Sequence, residues 1–358
     1  SYLIPALWSY YNRMWSRFFA ISLVVTAHHV LSLVNRFVLA VPGTEFDAYT
    51  FHNNAIATLR QNLEPSYSIG TEIYETILIH SYDLFGKDLL VGQSLSILII
   101  AFSLMTMASI AHRMGLREQW IAMLVVVVGF MPSLLFFGSF TFREPYKILG
   151  MTVGVGFALL GIRDRSLTYL LISTTGFLFM GMLHHVLLGM ALFLITSTVL
   201  LYLYYQVKNK RLMLLFASMA LLVLSVSSIL LMTKIPVQKG NDYIAMLKKS
   251  GGIPNMIVRY RSDVEKLGPR SSYGFTIDAS SLTSFSRDVI KSYTYYLIGP
   301  FPGDLDSVID IVPWSDALVR QCAMLLIILV LLLRIAKPPG YFYLAFVYVS
   351  ITFMSVSY

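Results

Sequence analysis

Three ionisable side chains lie close together in the segment PGTEFDAYTFHNNA, residues 42–55. Glu45 and Asp47 are separated by one residue, and His52 follows five residues after Asp47. A carboxylate in such a loop can act as a general base toward an incoming hydroxyl group, which makes Asp47, with Glu45 beside it, a candidate catalytic residue. The alternative is structural, since Thr44 and Asp47 also suit the N-cap of a helix. On a helix that begins near Asp47, His52 lies about 140° around the axis, so the two side chains need not share a face.

The turn SFTFREPYKILG, residues 139–150, carries a second set of charges, Arg143, Glu144 and Lys147. Pro145 suits the first turn of the helix that follows. Two cations at a helix N-terminus oppose the helix dipole, so a bound anion would relieve the conflict. A phosphate or pyrophosphate group would suit Arg143, which can bind it through two parallel hydrogen bonds. In the alternative interpretation, Arg143 pairs with Glu144 or with the phosphate of a neighbouring lipid.

The composition is typical of a membrane protein. Of the 358 residues, 56% are hydrophobic and 13% are charged, whereas soluble domains carry about 25% charged residues. The mean hydropathy is +0.69. Lys and Arg concentrate in cytoplasmic loops of membrane proteins, which explains the net charge of +8, so no nucleic-acid partner is predicted. The single cysteine, Cys322, excludes an intrachain disulfide and a cysteine-based metal site. No cleavable signal peptide is predicted, and both ends, Ser1 and Tyr358, are interpreted as trimmed.

Apolar runs of about 20 residues predict helices that cross the hydrocarbon core. These runs lie at residues 17–41, 88–111, 119–139, 145–162, 167–183, 186–206, 211–233, 316–335 and 340–358. The stretch from 167 to 206 is open to a second interpretation as one long kinked segment, although its length is about twice what one crossing requires. The predicted fold is an all-α polytopic membrane protein with about nine or more transmembrane helices.

Every second short connection between these runs is basic, which predicts a cytoplasmic N-terminus. The basic residues of these connections are Arg13, Arg17, Arg113, Arg117, Arg163, Arg165, Lys208, Lys210, Arg211, Arg334 and Lys337. Two large loops, at 42–87 and 234–315, then lie on the outer face and are predicted to contain juxtamembrane helices. The predicted organisation is a transmembrane module at 1–233, the outer-face loop at 234–315, and C-terminal transmembrane helices at 316–358.

Further polar residues within or between the apolar runs are candidates for function. Polar side chains at membrane depth are costly and usually face the protein interior, so His28 is predicted to make a hydrogen bond between packed helices. His184 is predicted near the outer face, where it can contact a substrate. Adjacent histidines point to different helix faces and lack the spacing of metal ligands, so no metal and no other cofactor is predicted. The loop at 234–315 begins with KIPVQKGNDYIAMLKKSGG, a cationic, amphipathic stretch typical of a segment on a membrane surface. Arg259 and Arg261, further along this loop, are additional candidate substrate contacts.

With this order of elements, the chain resembles the membrane glycosyltransferases of the GT-C superfamily, in particular the protein O-mannosyltransferases and bacterial lipid-A sugar transferases. The resemblance covers roughly residues 17–315 and rests on short motifs. These motifs are GTEFDAYTFHNNA after the first span, SIGTEIYETILIHSYDLFGKDLLVGQSLSIL, VVGFMPSLLFFGSFTFREP and IGPFPGD. By this resemblance Asp47 is the catalytic base. The O-mannosyltransferases carry adjacent Asp and Glu residues in the first loop, whereas Phe46 separates Glu45 from Asp47 here.

The resemblance implies transfer of a sugar from a polyprenyl-phosphate donor at the outer face of a bacterial inner membrane. The donor would enter from the membrane lipids with its phosphate near Arg143 and Lys147, and Asp47 would deprotonate the acceptor hydroxyl. Cations near the leaving lipid phosphate would stabilise its developing charge. The acceptor can be a glycan, a lipid or a protein.

Three other functions remain open. The Arg-Glu turn is similar to that of polysaccharide polymerases, so a polymerase or ligase acting on polyprenyl-diphosphate oligosaccharides is the nearest alternative. A lipid-linked substrate transporter or flippase belongs to a different class; such proteins often show internal repeats and broken helices at the membrane midplane, and no repeat is evident in the sequence. A non-catalytic scaffold would leave the turns carrying Asp47 and Arg143 without a task.

Overall fold

The computed structural model describes residues 15–41, 44, 47–206, 277–278 and 280–298, together with isolated positions between 255 and 325. The chain divides into two compact units, Ser1–Leu230 and Leu231–Tyr358, and each is described by itself. All regular structure in the described residues is helical. In the first unit the helices are α1 Trp15–Phe37, α2 Asp47–Arg60, α3 Thr71–Phe85, α4 Leu89–Arg113, α5 Glu118–Gly129, α6 Pro132–Ser139, α7 Glu144–Asp164, α8 Leu167–Met182 and α9 His185–Gln206. The second unit contributes α10, Leu282–Ile298.

Several of these helices are long and apolar enough to cross a membrane. Four pass this test alone, namely α1, α4, α7 and the part Leu187–Gln206 of α9, and a fifth span results if α5 and α6 are counted together. This fits the predicted helical membrane protein, but the predicted count of nine or more spans is not confirmed. The predicted spans at 211–233 and 340–358, and most of 316–335, lie outside the described residues.

The predicted span at 119–139 is not one continuous helix. It is divided into α5 and α6, which are bent by 68° relative to each other. The reason is Pro132, which has no backbone N–H to donate and whose ring clashes with the preceding turn of a continuous helix. Pro132 instead occupies the first turn of α6, where the missing N–H carries no penalty.

The stretch from 167 to 206 forms two helices, α8 and α9, which pack against each other. The alternative of one long kinked segment is therefore wrong. α8 also packs against α7 at very short range. A Cβ atom added at Gly150 would lie 2.8 Å from the carbonyl oxygen of Gly176, and the Ser173 hydroxyl donates a 2.6 Å hydrogen bond to the carbonyl of Gly154. Small residues at such a contact allow the two backbones to approach closely.

Helices α1, α4, α5 and α6 share an apolar core that includes Ile21, Val24, Ile97 and Ile100. A buried hydrogen bond crosses this core, because Nδ1 of His28 on α1 lies 3.1 Å from the Ser139 hydroxyl at the end of α6. This contact confirms that His28 makes a packing hydrogen bond between helices.

One end of the bundle, which we call the arginine end, gathers basic side chains from separate connections. Arg17 is buried and forms a two-pronged ion pair with Glu118. The Nη1 atom of Arg163 donates a 2.6 Å hydrogen bond to the carbonyl of Arg113. Basic residues of alternate loops thus share one end, as an up-and-down bundle requires. Which side of a membrane that end faces stays a prediction.

The opposite end, which we call the hairpin end, carries α2 and α3, which pack against each other as a helical hairpin. This hairpin lies between α1 and α4, within the loop predicted at 42–87. Contacts on both sides fix the position of this hairpin. Arg36 at the end of α1 forms a 3.2 Å ion pair with Asp88 before α4, and the Gly70 amide donates a 2.9 Å hydrogen bond to the carbonyl of Met182.

Candidate functional site

The first turn of α2 packs directly on the turn that precedes α7. Ala48 is buried in a cluster with Phe140 and Phe142. The ring of Phe140 in this turn packs against the ring of Phe136 on α6, with the two centroids 5.1 Å apart. Asp47, the first residue of α2, is exposed beside this contact. The fold therefore brings the two segments singled out in the sequence to one place.

The loop before α2 is held by Asn35 on α1. Its Oδ1 accepts a 2.8 Å hydrogen bond from the Val41 amide and lies 3.1 Å from the Thr44 hydroxyl. Thr44 is thus engaged with α1. Asp47 lies in the first helical turn, where a negative charge complements the helix dipole. The structural interpretation of Asp47 at a helix start is compatible with this placement, and Glu45 lies outside the described residues.

Arg143 joins three elements of the hairpin end. Its Nη1 donates a 3.1 Å hydrogen bond to the Thr71 hydroxyl at the start of α3. Its guanidinium carbon lies 5.9 Å from the ring centre of Phe51 on α2, and its Nε is 3.8 Å from Oε1 of Glu144 at the start of α7. The alternative pairing with Glu144 is therefore present, although at the long limit of an ion pair.

Lys147 completes a group that we call the charged cluster: Asp47, Arg143, Glu144 and Lys147. Its Nζ donates a 2.9 Å hydrogen bond to Oε1 of Glu144, one turn earlier on α7. Lys147 also interacts electrostatically with Asp47. The cluster thus contains two cations and two carboxylates from segments almost one hundred residues apart in the sequence.

The first turn of α7 also contains a carboxylate, which changes how the helix dipole and the nearby cations interact. Pro145 lies in this turn, as predicted, and Glu144 supplies a negative charge there. The conflict between the cations and the helix dipole is therefore partly relieved by the chain itself. A bound phosphate would have to replace or share the contacts that Glu144 now makes.

His52 faces α3 and does not join the charged cluster through a hydrogen bond. Its Nδ1 lies 2.8 Å from the Tyr82 hydroxyl, and the two rings are perpendicular. Burial lowers the pKa of His52; Asp88 opposes this shift, and Arg36 adds to it. Burial also raises the pKa of Tyr82 well above its usual range. Both side chains are therefore neutral near pH 7, and the Tyr82 hydroxyl can donate to the imidazole.

A set of buried hydroxyl groups beneath the hairpin was missed in the sequence. Tyr74 and Ser96 interact with each other, as do Tyr82 and Thr141, whereas the Tyr146 hydroxyl has no hydrogen-bond partner within the described part of the chain. The ring of Tyr74 contacts both Phe51 and Tyr146, with centroids 5.1 Å and 5.3 Å away. Buried hydroxyls normally have partners, so the Tyr146 hydroxyl is where a water or a polar ligand group would bind. The signal in the sequence that could have indicated these hydroxyl groups is the presence of polar residues within otherwise apolar helices.

The remaining predicted site residues are not part of the charged cluster. His184 is buried in the short connection between α8 and α9. Arg259 and Arg261 lie outside the described residues. Across the residues that the structure covers, no group of three His, Cys, Asp or Glu side chains could hold a metal ion.

Comparisons with known proteins do not extend this description. No family model matches the sequence, and neither the curated proteins nor the solved structures contain a significant match. The fold fits the class of helical membrane proteins, and the function must be argued from the hairpin end.

Proposed function

We propose that the chain is an integral-membrane glycosyltransferase, which moves a sugar from a polyprenyl-phosphate carrier to an acceptor hydroxyl at the hairpin end. The single observation that carries the proposal is the charged cluster. An exposed carboxylate, Asp47, begins α2, and the next residue, Ala48, packs on the turn that presents Arg143. A base near a pair of phosphate-binding cations is what transfer from a lipid phosphate requires.

In the proposed reaction the acceptor oxygen attacks the anomeric carbon of the donor sugar. A bond forms between these two atoms, and the bond from the anomeric carbon to the phosphate oxygen breaks. The Asp47 carboxylate takes the proton of the acceptor hydroxyl. The polyprenyl phosphate leaves with the bonding electrons, and Arg143 and Lys147 stabilise its additional negative charge.

The order of elements supports the same proposal. The resemblance to GT-C glycosyltransferases implies one span followed by a loop with an acidic residue near its start. In this chain α1 is followed by the hairpin, and Asp47 begins its first helix. By the same resemblance and by the distribution of basic residues, the hairpin end would face outward from a bacterial inner membrane, with a cytoplasmic N-terminus.

Replacement of Asp47 by Asn is the direct test. The change is nearly isosteric but removes the base, so we expect the rate of transfer to fall by about 10²–10⁴-fold. The assay would follow label from polyprenyl-phosphate sugars of different sugar identity into acceptors, with purified full-length protein. The matched control is Glu64→Gln, which neutralises an exposed carboxylate in the connection between α2 and α3. Near-normal transfer by the Asp47→Asn protein would reduce Asp47 to a structural residue.

A second function, transport of a lipid-linked substrate, is favoured by the bend between α5 and α6. Broken helices are frequent in transporters, where they line substrate sites. The sequence alone did not indicate this break as a functional feature. Movement of a fluorescent polyprenyl phosphate across liposome membranes, without loss of its sugar, would support this function over glycosyl transfer. A ladder of growing oligosaccharides in the transfer assay would instead favour the polymerase.

A further inference from the structure

A groove lies between α4 and α7, toward the arginine end of the bundle. Its volume is about 240 Å³. Its apolar walls include Phe102, Met105 and Ile110 on α4, and Phe157 and Leu160 on α7. Arg113, the last residue of α4, is part of the same lining. The groove is therefore mostly apolar, with the hydroxyl groups of Thr106 and Ser109 also in its lining, and carries a guanidinium at one end.

The length of this groove matches the depth of one leaflet of a bilayer. From Phe102 to Arg113 a helix rises by about 16 Å. Half of the hydrocarbon core of a typical bilayer is about 15 Å. If α4 crosses the membrane, Phe102 lies near the midplane and Arg113 lies at the level of the headgroups. One acyl chain of a phospholipid spans the same distance.

The charge at the mouth of the groove is positive. Besides Arg17, four arginines lie at this end, Arg113, Arg117, Arg163 and Arg165, and Asp164 is bound to Arg163 by a 2.6 Å ion pair. Glu118 is already paired with Arg17. The positive charges thus outnumber the carboxylates around the groove in the described residues.

Tyr169 holds the guanidinium of Arg113 in place, but only some of its hydrogen-bond donors are engaged within the described residues. Its Nη1 donates a hydrogen bond to the Tyr169 hydroxyl, and its carbon lies 5.7 Å from the centre of the same ring. Within the residues that the structure describes, Nη1 is the one atom of this guanidinium that donates a hydrogen bond. The Nε and Nη2 groups can therefore bind a phosphate oxygen each.

We infer that this groove binds an anionic phospholipid from the leaflet at the arginine end. One acyl chain lies along the apolar walls, and Arg113 binds the phosphate. Anionic lipids are attracted to basic segments at a membrane surface. A second copy of this chain is a poor occupant, because it would place further arginines against the same basic end. The groove lies at the opposite end of the bundle from the charged cluster, so this inference is independent of the proposed glycosyl transfer.

Lipid binding to the purified full-length protein, after removal of bound lipid in detergent, tests the headgroup contact. The probes are phosphatidylglycerol and phosphatidylcholine with the same long chains, and bound lipid is counted by native mass spectrometry. We expect Arg113→Gln to weaken phosphatidylglycerol binding about tenfold, as loss of a charged hydrogen bond implies. The matched control, Arg117→Gln, removes the same charge at an exposed position that does not line the groove, so the affinity should fall much less than in Arg113→Gln. Equal losses in both variants would mean diffuse attraction to basic residues and would overturn the inference.

A bulky side chain placed in the groove tests whether the acyl chain of the lipid lies there. Thr106 is half-buried on the groove wall, and Thr106→Trp should abolish binding of the long-chain lipid. If that variant fails to fold, the wild-type protein provides the same test, because short-chain phosphatidylglycerol should bind much more weakly than the long-chain form. Equal affinity for both chain lengths would overturn the inference. So would a Thr106→Trp protein that changes its oligomeric state on size exclusion but binds phosphatidylglycerol normally, since a second copy would then occupy the groove.

Discussion

At the scale of single residues, Glu144 occupies the place that a carrier phosphate would be expected to take. Its carboxylate contacts both Arg143 and Lys147. In the proposed function, a carrier phosphate would compete with this internal anion for cations that are already held in position. Arg143 would keep its contacts with Thr71 and Phe51 in that exchange, because they lie on other elements.

This competition predicts opposite effects for neighbouring substitutions. Arg143→Ala should weaken binding of a polyprenyl phosphate by about 1.5–3 kcal/mol, the value of a charged hydrogen bond. Arg143→Lys keeps the charge but loses the planar fork, so its effect should be smaller. Glu144→Gln should strengthen binding, because it removes the competing carboxylate. Equilibrium binding in detergent measures all three variants.

The control for these variants is Arg60→Ala, which removes an exposed arginine at the end of α2. It should bind the polyprenyl phosphate as the wild type does. If Arg143→Ala also binds the lipid as tightly as wild type, the phosphate site lies elsewhere. The next candidates would be Arg259 and Arg261.

The pair of His52 and Tyr82 predicts how the stability of the hairpin end depends on pH. The pKa of His52 is lower in the folded protein than its unfolded value of 6.5, so protonation favours the unfolded state. The stabilising contribution of neutral His52 is present above about pH 6.5 and is lost as the pH falls through the range below that value. The apparent melting temperature should therefore decrease between about pH 7 and about pH 5.

Substitution separates this effect from other titrating groups. His52→Gln can still bond to the Tyr82 hydroxyl but does not titrate, so the slope of melting temperature against pH should become shallower. His80→Gln removes an exposed histidine from the same helix pair and should leave the slope unchanged. Identical slopes for His52→Gln and wild type would show that another group controls the dependence.

At the scale of elements, the contact between α7 and α8 depends on the absence of side chains. A Cβ at Gly176 would lie 2.6 Å from the backbone nitrogen of Gly154. Backbone atoms cannot move aside as a flexible side chain can. Gly176→Ala should therefore separate the helices and reduce the free energy of unfolding by about 1–3 kcal/mol, as overpacking does.

The matched control for this contact is Thr175→Ala, one residue earlier on the exposed face of α8. It should change stability by less than about 0.5 kcal/mol, as surface substitutions usually do. Denaturant titration in detergent measures both variants. A Gly176→Ala protein as stable as Thr175→Ala would mean that the two helices separate at no cost.

Elements that depend on local sequence could be predicted, and contacts between distant segments could not. The start of α7 just before Pro145 follows from local backbone rules, and most spans follow from apolar runs. Pro132 itself was a local signal for the break between α5 and α6. The apolar run continues on both sides of Pro132, however, and therefore predicted one uninterrupted span. The contact of Ala48 with Phe140 and Phe142, and the unpartnered hydroxyl of Tyr146, arise from packing between elements. No periodicity in the sequence encodes such contacts.

At the scale of the whole molecule, the bundle has two chemically different ends. The arginine end has an excess of positive charge, whereas the charged cluster at the hairpin end contains equal numbers of cations and carboxylates. This asymmetry is what the positive-inside rule describes for a protein whose arginine end is cytoplasmic. This predicted orientation would place the proposed lipid groove in the cytoplasmic leaflet and the proposed transfer site outside.

Labelling of single cysteines in intact cells tests this orientation. In a Cys322→Ser background, Glu64→Cys reports on the hairpin end and Leu116→Cys on the arginine end; both positions are exposed. Neither substitution removes a basic residue, so neither disturbs the charge bias that sets the orientation. A membrane-impermeant maleimide should label Cys at position 64 from outside, and at position 116 only after the cells are permeabilised. The reverse pattern would place Asp47 and Arg143 in the cytoplasm, where lipid-linked sugars would have to reach them from the inner leaflet, and the proposed outer-face transfer would be wrong.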